Sequence, residues 1–349
     1  MIIGLIIILL LVLFLPFTKM VEKNLEIFLF IMGVASVLVS QVLDWDLTKE
    51  ALKDPINITL AVLVAGLLFR WFKKPITRVV LKISESMPHR LFIALFVIIL
   101  GFISSIVTAI VAAIILVSIV AILPLDRKSE IRLVILACFA IGLGAVLTPI
   151  GEPLSSIVVS KLDEEFFYLL KLLGTSVVPG VVIFGILSAV FVKSKEESIR
   201  ILEANKSDND KAEEDEVESY PEIIIRSLKI YLFVMALTFL GAGFEPFIER
   251  YLLDLSPLIL YWINILSAIL DNATLAAAEV SPSMHGHEPT IKAILMGLMI
   301  SGGMLIPGNI PNIIAAGKLK ITSLEYARFA FPVGLTAMAL YFVYMLITL

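Results

Sequence analysis

The sequence predicts an all-α integral membrane protein: an inverted repeat with two re-entrant hairpins and two broken helices. Three observations predict it. Hydrophobic residues fill 59% of the 349 positions and charged residues 17%, with a mean hydropathy of +1.02, whereas a soluble domain carries about 25% charge. Two long apolar stretches each contain prolines four apart, Pro149/Pro153 and Pro307/Pro311. Two further apolar segments, 91–123 and 258–281, are polar at their centres.

Apolar runs of about 17–20 residues cross a hydrocarbon core as helices. Such runs lie near 1–17, 25–43, 56–72, 133–161, 172–192, 223–240, 291–317 and 326–348. The first lacks a basic leader and a small-residue cleavage site, and reads as a retained span. The interrupted segments have arms of about 13–15 residues or fewer, too short to span, so both read as re-entrant hairpins. Polar backbone at membrane depth persists only against protein or a wet cavity. The chain divides into N-terminal scaffold spans (1–55), a first repeat (56–192), a linker (193–222) and a second repeat (223–349).

Loop charge sets orientation. Arg70, Lys73, Lys74, Arg78, Lys82 and Arg90 mark a cytoplasmic segment, as do Asp126-Arg127-Lys128 and Lys318-Leu319-Lys320. The Asp163-Glu164-Glu165 loop, 244–256 and 282–290 read as external. The linker holds 11 Asp/Glu against 5 Lys/Arg, a composition that reads as a disordered cytoplasmic connector. The two hairpins then open to opposite faces. The formal charge of −4 comes from that linker, and no basic stripe suggests nucleic acid. The single cysteine, Cys138, sits in an apolar run and excludes a disulfide framework.

The two halves repeat one another. Thr148-Pro149-Ile150-Gly151-Glu152-Pro153 and Ile306-Pro307-Gly308-Asn309-Ile310-Pro311 align with their prolines displaced by 158, and Ser105–Thr108 aligns with Asp271–Thr274 displaced by 166. Proline breaks the helical ladder and glycine tolerates the unwound backbone. The break frees carbonyls for a cation and N-terminal amides for an anion. Paired discontinuous helices in inverted halves point to the binding site of a secondary transporter.

Asp271 is the first candidate residue. A carboxylate at the centre of an apolar hairpin costs at least about 2.5–3.5 kcal/mol, so it is paired, protonated or ion-bound; it reads as a sodium ligand and proton acceptor, and also as a helix cap. Asn272, Thr274, Ser104, Ser105 and Thr108 offer neutral oxygens, which hard cations prefer, although Ser and Thr also bond back to helix carbonyls. Glu152 is either a second titratable group or a charge held by the amides of its own broken helix. Thr148, Gly151, Gly308, Asn309 and Asn312 line the two breaks. His285-Gly286-His287-Glu288 reads as a solvated turn rather than a metal site. No nucleophile–base pair or metal cluster suggests an enzyme.

The pieces LTPIGEPLSS (147–156), LDNATLAAAE (270–279) and GGMLIPGNIPNIIAAGKL (302–319) resemble the ion transporter superfamily. More narrowly, they are similar to a prokaryotic family of cation-transporter-like membrane proteins. The relatives of that family include D-type sodium/proton antiporters, arsenite efflux permeases, and citrate and dicarboxylate/sodium symporters. The resemblance covers about 56–348. It implies sodium binding by Ser105 and Thr108 with the 148–151 break, and by Asp271, Asn272 and Thr274 with the 307–309 break. It also implies an elevator-type transport domain and a homodimer. The chain departs from the symporter pattern: its first tip lacks an asparagine and its second carries an acid, which repels a dicarboxylate in a low dielectric. The expectation is therefore a sodium/proton antiporter in the cytoplasmic membrane, without an organic cofactor. The alternative is a sodium-coupled symporter of a carboxylate or other oxyanion.

Overall fold

The computed structural model describes residues 2–22, 24–193, 220–251, 255–270, 272–280 and 284–348. Every regular element among them is helical. In chain order these are α1 (Ile2–Phe14), α2 (Leu25–Ser40), α3 (Trp45–Ser86), α4 (His89–Val107), α5 (Ala109–Val120), α6 (Arg127–Ala145) and α7 (Pro153–Lys161). Then follow α8 (Tyr168–Phe191), α9 (Tyr220–Tyr251), α10 (Pro257–Ile263), α11 (Asn272–Glu279), α12 (Glu288–Gly302), α13 (Ile310–Lys318) and α14 (Ser323–Thr348). A 3-10 turn, Asn264–Ala268, continues α10, and another, Ile306–Gly308, lies between α12 and α13.

Among the described residues four helices are long and apolar enough to cross a bilayer: His89–Val107, Tyr168–Phe191, Tyr220–Phe247 and Ser323–Ile347. They mark a membrane protein. Three match expected spans, and the fourth corrects an expectation. The first arm of the 91–123 segment is 19 residues long and sufficient to span, because its helix starts at His89 and continues through Ser104 and Ser105 to Val107. Only the returning arm, α5, is short, at 12 residues. The run 56–72 is absorbed into the 42-residue α3, which continues through Pro55 and Pro75. Helices α1 and α2 have 13 and 16 residues, short of the expected 1–17 and 25–43. Most of the expected linker, 194–219, lies outside the described residues.

The core forms where small residues let helices touch. Gly144 of α6 faces Gly101 of α4 so closely that a Cβ on Gly144 would lie 1.7 Å from the Gly101 carbonyl oxygen. Contact of this kind is how helices associate where lipid removes the hydrophobic drive between them. The neighbouring core is aliphatic and aromatic, with Phe139 stacked on Phe184 at 4.9 Å. Gly144→Val is accordingly expected to cost about 3 kcal/mol through overpacking, read as a lowered Tm in detergent, whereas Gly317→Ala, with open space around its Cβ, should leave Tm unchanged.

Side-chain contacts also fix the sense of the two interrupted helices. Arg127, at the start of α6, donates to the carbonyls of Leu319 and Lys320, both at 2.8 Å. Further along α6, Phe139 lies against Gly303 and Gly142 against Asn309. The α6 helix therefore runs antiparallel to residues 303–319. Beyond the other end of that crossing, His285 pairs with Glu164 at 3.2 Å. The basic loops at 126–128 and 318–320 thus share one end of the molecule, and the loops at 163–165 and 285 share the other.

Candidate functional site

The interruptions predicted from proline pairs are present, and their geometry is duplicated. Helices α6 and α12 end, and α7 and α13 begin and end, at positions displaced by 157 residues (145 to 302, 153 to 310, 161 to 318). The residues preceding the second arms, Glu152 and Asn309, share an extended backbone at φ −156°. The proline register of 158 is therefore one residue out of step with the helical register. Pro153 occupies the first position of its helix and Pro311 the second of its own. Neither position needs an amide proton, so both are tolerated.

Each break is closed by one buried side chain in the same helical position. Ser155 donates to the Val146 carbonyl at 3.2 Å. At the position 157 residues on, Asn312 donates to the carbonyls of Gly302 and Leu305 at 2.8 and 2.9 Å. Asn312 is therefore committed to holding the break together, although its Oδ1 is buried with no hydrogen-bond partner. Gly151 and Gly308 are required by close approach: a Cβ would lie 1.9 Å from the Ala145 oxygen in one and 2.5 Å from the Gly302 oxygen in the other.

The first polar tip docks on the first break. The Ala109 amide donates to the Gly151 carbonyl at 2.8 Å, and the Thr148 hydroxyl donates to the Ser105 carbonyl. Between α4 and α5 stands Thr108, with φ 79° and ψ 150°, a region that costs a β-branched residue about 1–3 kcal/mol and recurs at functional sites. Its Oγ1 accepts from the Val111 amide at 3.4 Å. The Ser105 hydroxyl donates to the Phe102 carbonyl at 2.7 Å. A hydroxyl that spends its proton on a carbonyl keeps both lone pairs for a cation, as Ser105 does, whereas Thr108 gives one lone pair to the Val111 amide and keeps the other. Ser104 differs from expectation. Its hydroxyl points to the carbonyls of Gly101 and Ile141, at 2.6 and 2.9 Å, and pins α4 to α6.

The second tip approaches its own break through backbone: Gly308 lies against the Ser267 carbonyl and Ala268. Asn272, at the start of α11, is 3% exposed, and its Nδ2 has no hydrogen-bond partner among the described residues. Asp271 and the side chain of Thr274 lie outside the described residues. Contacts align the tips at 163 rather than 166: Gly101 faces Gly144 as the Asn264 carbonyl faces Ser301, which donates to it. The sequence offset of 166 is three residues out of step with these contacts.

The two halves meet across the breaks. Helix α5 packs on α13, and α11 packs on α7, so each short returning arm covers the opposite half's second arm. Asn309 is buried, and its amide reaches Gly142 of α6. Glu152 is also buried, at 6% exposure, and its side chain makes no capping hydrogen bond at the start of α7. Thr148 and Gly151 thus meet the first tip at Ser105 and Ala109, Gly308 meets the second hairpin at Ser267 and Ala268, and Asn309 reaches α6 at Gly142.

A residue that sequence reasoning passed over is Glu279. It is fully buried, and its Oε2 accepts from Asn264 Nδ2 at 2.9 Å. The only signal in the sequence was an acid closing the otherwise apolar run Leu275–Glu279. His285 is exposed and Glu164 half-buried, and among the described residues no group of three His, Cys, Asp or Glu side chains gathers to hold a metal.

No curated protein matches this chain. Residues 2–348 match the family described as Protein of unknown function (DUF1646), and the chain belongs to that family.

Proposed function

We propose that this protein is a secondary active transporter, a sodium/proton antiporter with elevator-type alternating access. The observation that carries the reading is the pair of broken helices, alike in cap geometry and register, running antiparallel and each meeting a polar tip. That arrangement supports an inverted repeat in which α4–α5 and α10–α11 are hairpins whose tips meet the breaks, with α4 alone among their arms long enough to span. Discontinuous helices at a repeat interface are where secondary transporters bind their ions.

In this reading sodium is the transported ion. Ser105 and Thr108 supply oxygens at the first tip with the carbonyls of the 148–151 break, and Asp271, Asn272 and Thr274 do so at the second with the 307–309 break. Asp271 binds sodium or a proton but not both, since one negative charge compensates one cation in a low-dielectric site. Rocking of the hairpins and breaks against the spans would expose the site to each side in turn. The resemblance to the ion transporter superfamily supports the same assignment.

A sodium-coupled oxyanion symporter is the second reading. The unpartnered Asn272 amide favours it, because a buried N–H donor suits an anion. Sodium-22 uptake into proteoliposomes with an acidic interior separates the two. Uptake driven by the proton gradient alone supports antiport. Uptake that requires an added carboxylate, whatever the pH gradient, assigns the symporter.

A further inference from the structure

Beyond the tips, the second half holds a polar pair that the first half lacks. Glu279 is the last residue of α11, where the helix dipole disfavours a negative charge. Its Oε2 accepts from Asn264, whose amide also donates to the Ile294 carbonyl at 3.3 Å. Its Oε1 is buried with no hydrogen-bond partner. An ionised carboxylate so placed carries a large desolvation cost, and among the described residues no cation pairs with it.

The charged groups on the elements packed around it are Glu152 and Lys161 at the two ends of α7, Glu222, Arg226, Lys229, Glu245, Glu249 and Arg250 on α9, and Glu288 and Lys292 on α12. Among the described residues none forms an ion pair with Glu279. Lys229 pairs with Glu26, and Lys292 lies over the Tyr344 ring. The fold does not demand this pair. With the tips aligned at 163, Asn264 corresponds to Gly101 and Glu279 to Leu116, both buried, and the first half packs without any polar group there.

We propose that Glu279, held by Asn264 between α11 and α12, is a second proton-carrying site, loaded and unloaded in each transport cycle in addition to Asp271. This rests on the antiporter reading. The proton leaves Oε1 for water when the hairpin opens to one side, and returns from water on the other. Glu279 stands seven residues along α11 from Asn272, about 10 Å. At that distance, with an effective dielectric of about 20, filling an empty, ionised Asp271 site with sodium lowers the proton affinity of Glu279 about tenfold.

The test measures sodium-22 flux and internal pH together in proteoliposomes. Wild-type protein is expected to exchange about two protons per sodium, one for each carboxyl. Glu279→Gln, which keeps the contact with Asn264, is expected to lower that ratio to about one while sodium–sodium exchange persists. A purely structural role would slow flux without changing the ratio. An unchanged ratio in Glu279→Gln overturns the inference and leaves antiport standing; absence of any coupled flux in wild type overturns both. If Glu279→Gln does not fold, Glu279→Asp decides: a displaced pH profile of exchange supports the site, and an unchanged one rejects it.

Discussion

Asp271→Asn is expected to abolish sodium-driven proton movement, by at least 100-fold in initial rate, while leaving the protein folded. The asparagine keeps the size and one carbonyl oxygen of the aspartate but loses its charge. A buried cation then gains only a neutral dipole where it had a counter-charge, a loss of about 3 kcal/mol or more. Sodium–sodium exchange should fall together with proton flux. That separates this site from Glu279, whose amide variant should retain sodium exchange. The measurement is sodium-22 exchange alongside a pH readout, with a thermal melt as the folding control. Normal coupled flux in Asp271→Asn would remove this residue from the mechanism.

Asn312→Ala is expected to be the more destabilising of the two closing-residue substitutions, at about 2–4 kcal/mol. It deletes two donors at once and strands the carbonyls of Gly302 and Leu305 in a buried site, and each unsatisfied buried group costs about 1–3 kcal/mol. Ser155→Ala, at the same helical position in the other break, removes a single longer bond of 3.2 Å and should cost about 1 kcal/mol. Melting curves of the two variants in one detergent check the order. A larger loss for Ser155→Ala would mean that the first break, not the second, depends on its closing side chain.

The breaks were legible because proline cannot donate an amide wherever it stands. The paired prolines mark both interruptions, and loop charge groups residues 126–128 with 318–320 as Arg127 later does by contact. Span boundaries were less legible. Pro55 and Pro75 resemble helix ends in sequence, yet α3 runs through both; membrane helices can carry such prolines where neighbours resatisfy the freed carbonyls.

Tip registration was misread for a different reason. Hydroxyl spacing shows where polar atoms occur, whereas register is fixed by which small residues permit contact, here Gly101 on Gly144. Ser104 and Ser105 are adjacent in sequence and chemically identical, and only helix direction turns one toward α6 and the other toward the tip. Glu279 was illegible because its partner, Asn264, lies fifteen residues away across a chain reversal. No periodicity reports such a pairing.

The most direct measurement is a sodium pulse applied to proteoliposomes that hold purified wild-type protein and an internal pH dye, with no anionic substrate present. An internal alkalinisation that follows external sodium, saturates with its concentration and disappears in Asp271→Asn is the predicted result. A dye signal that stays flat under sodium, in vesicles shown to contain folded protein, would contradict sodium/proton antiport.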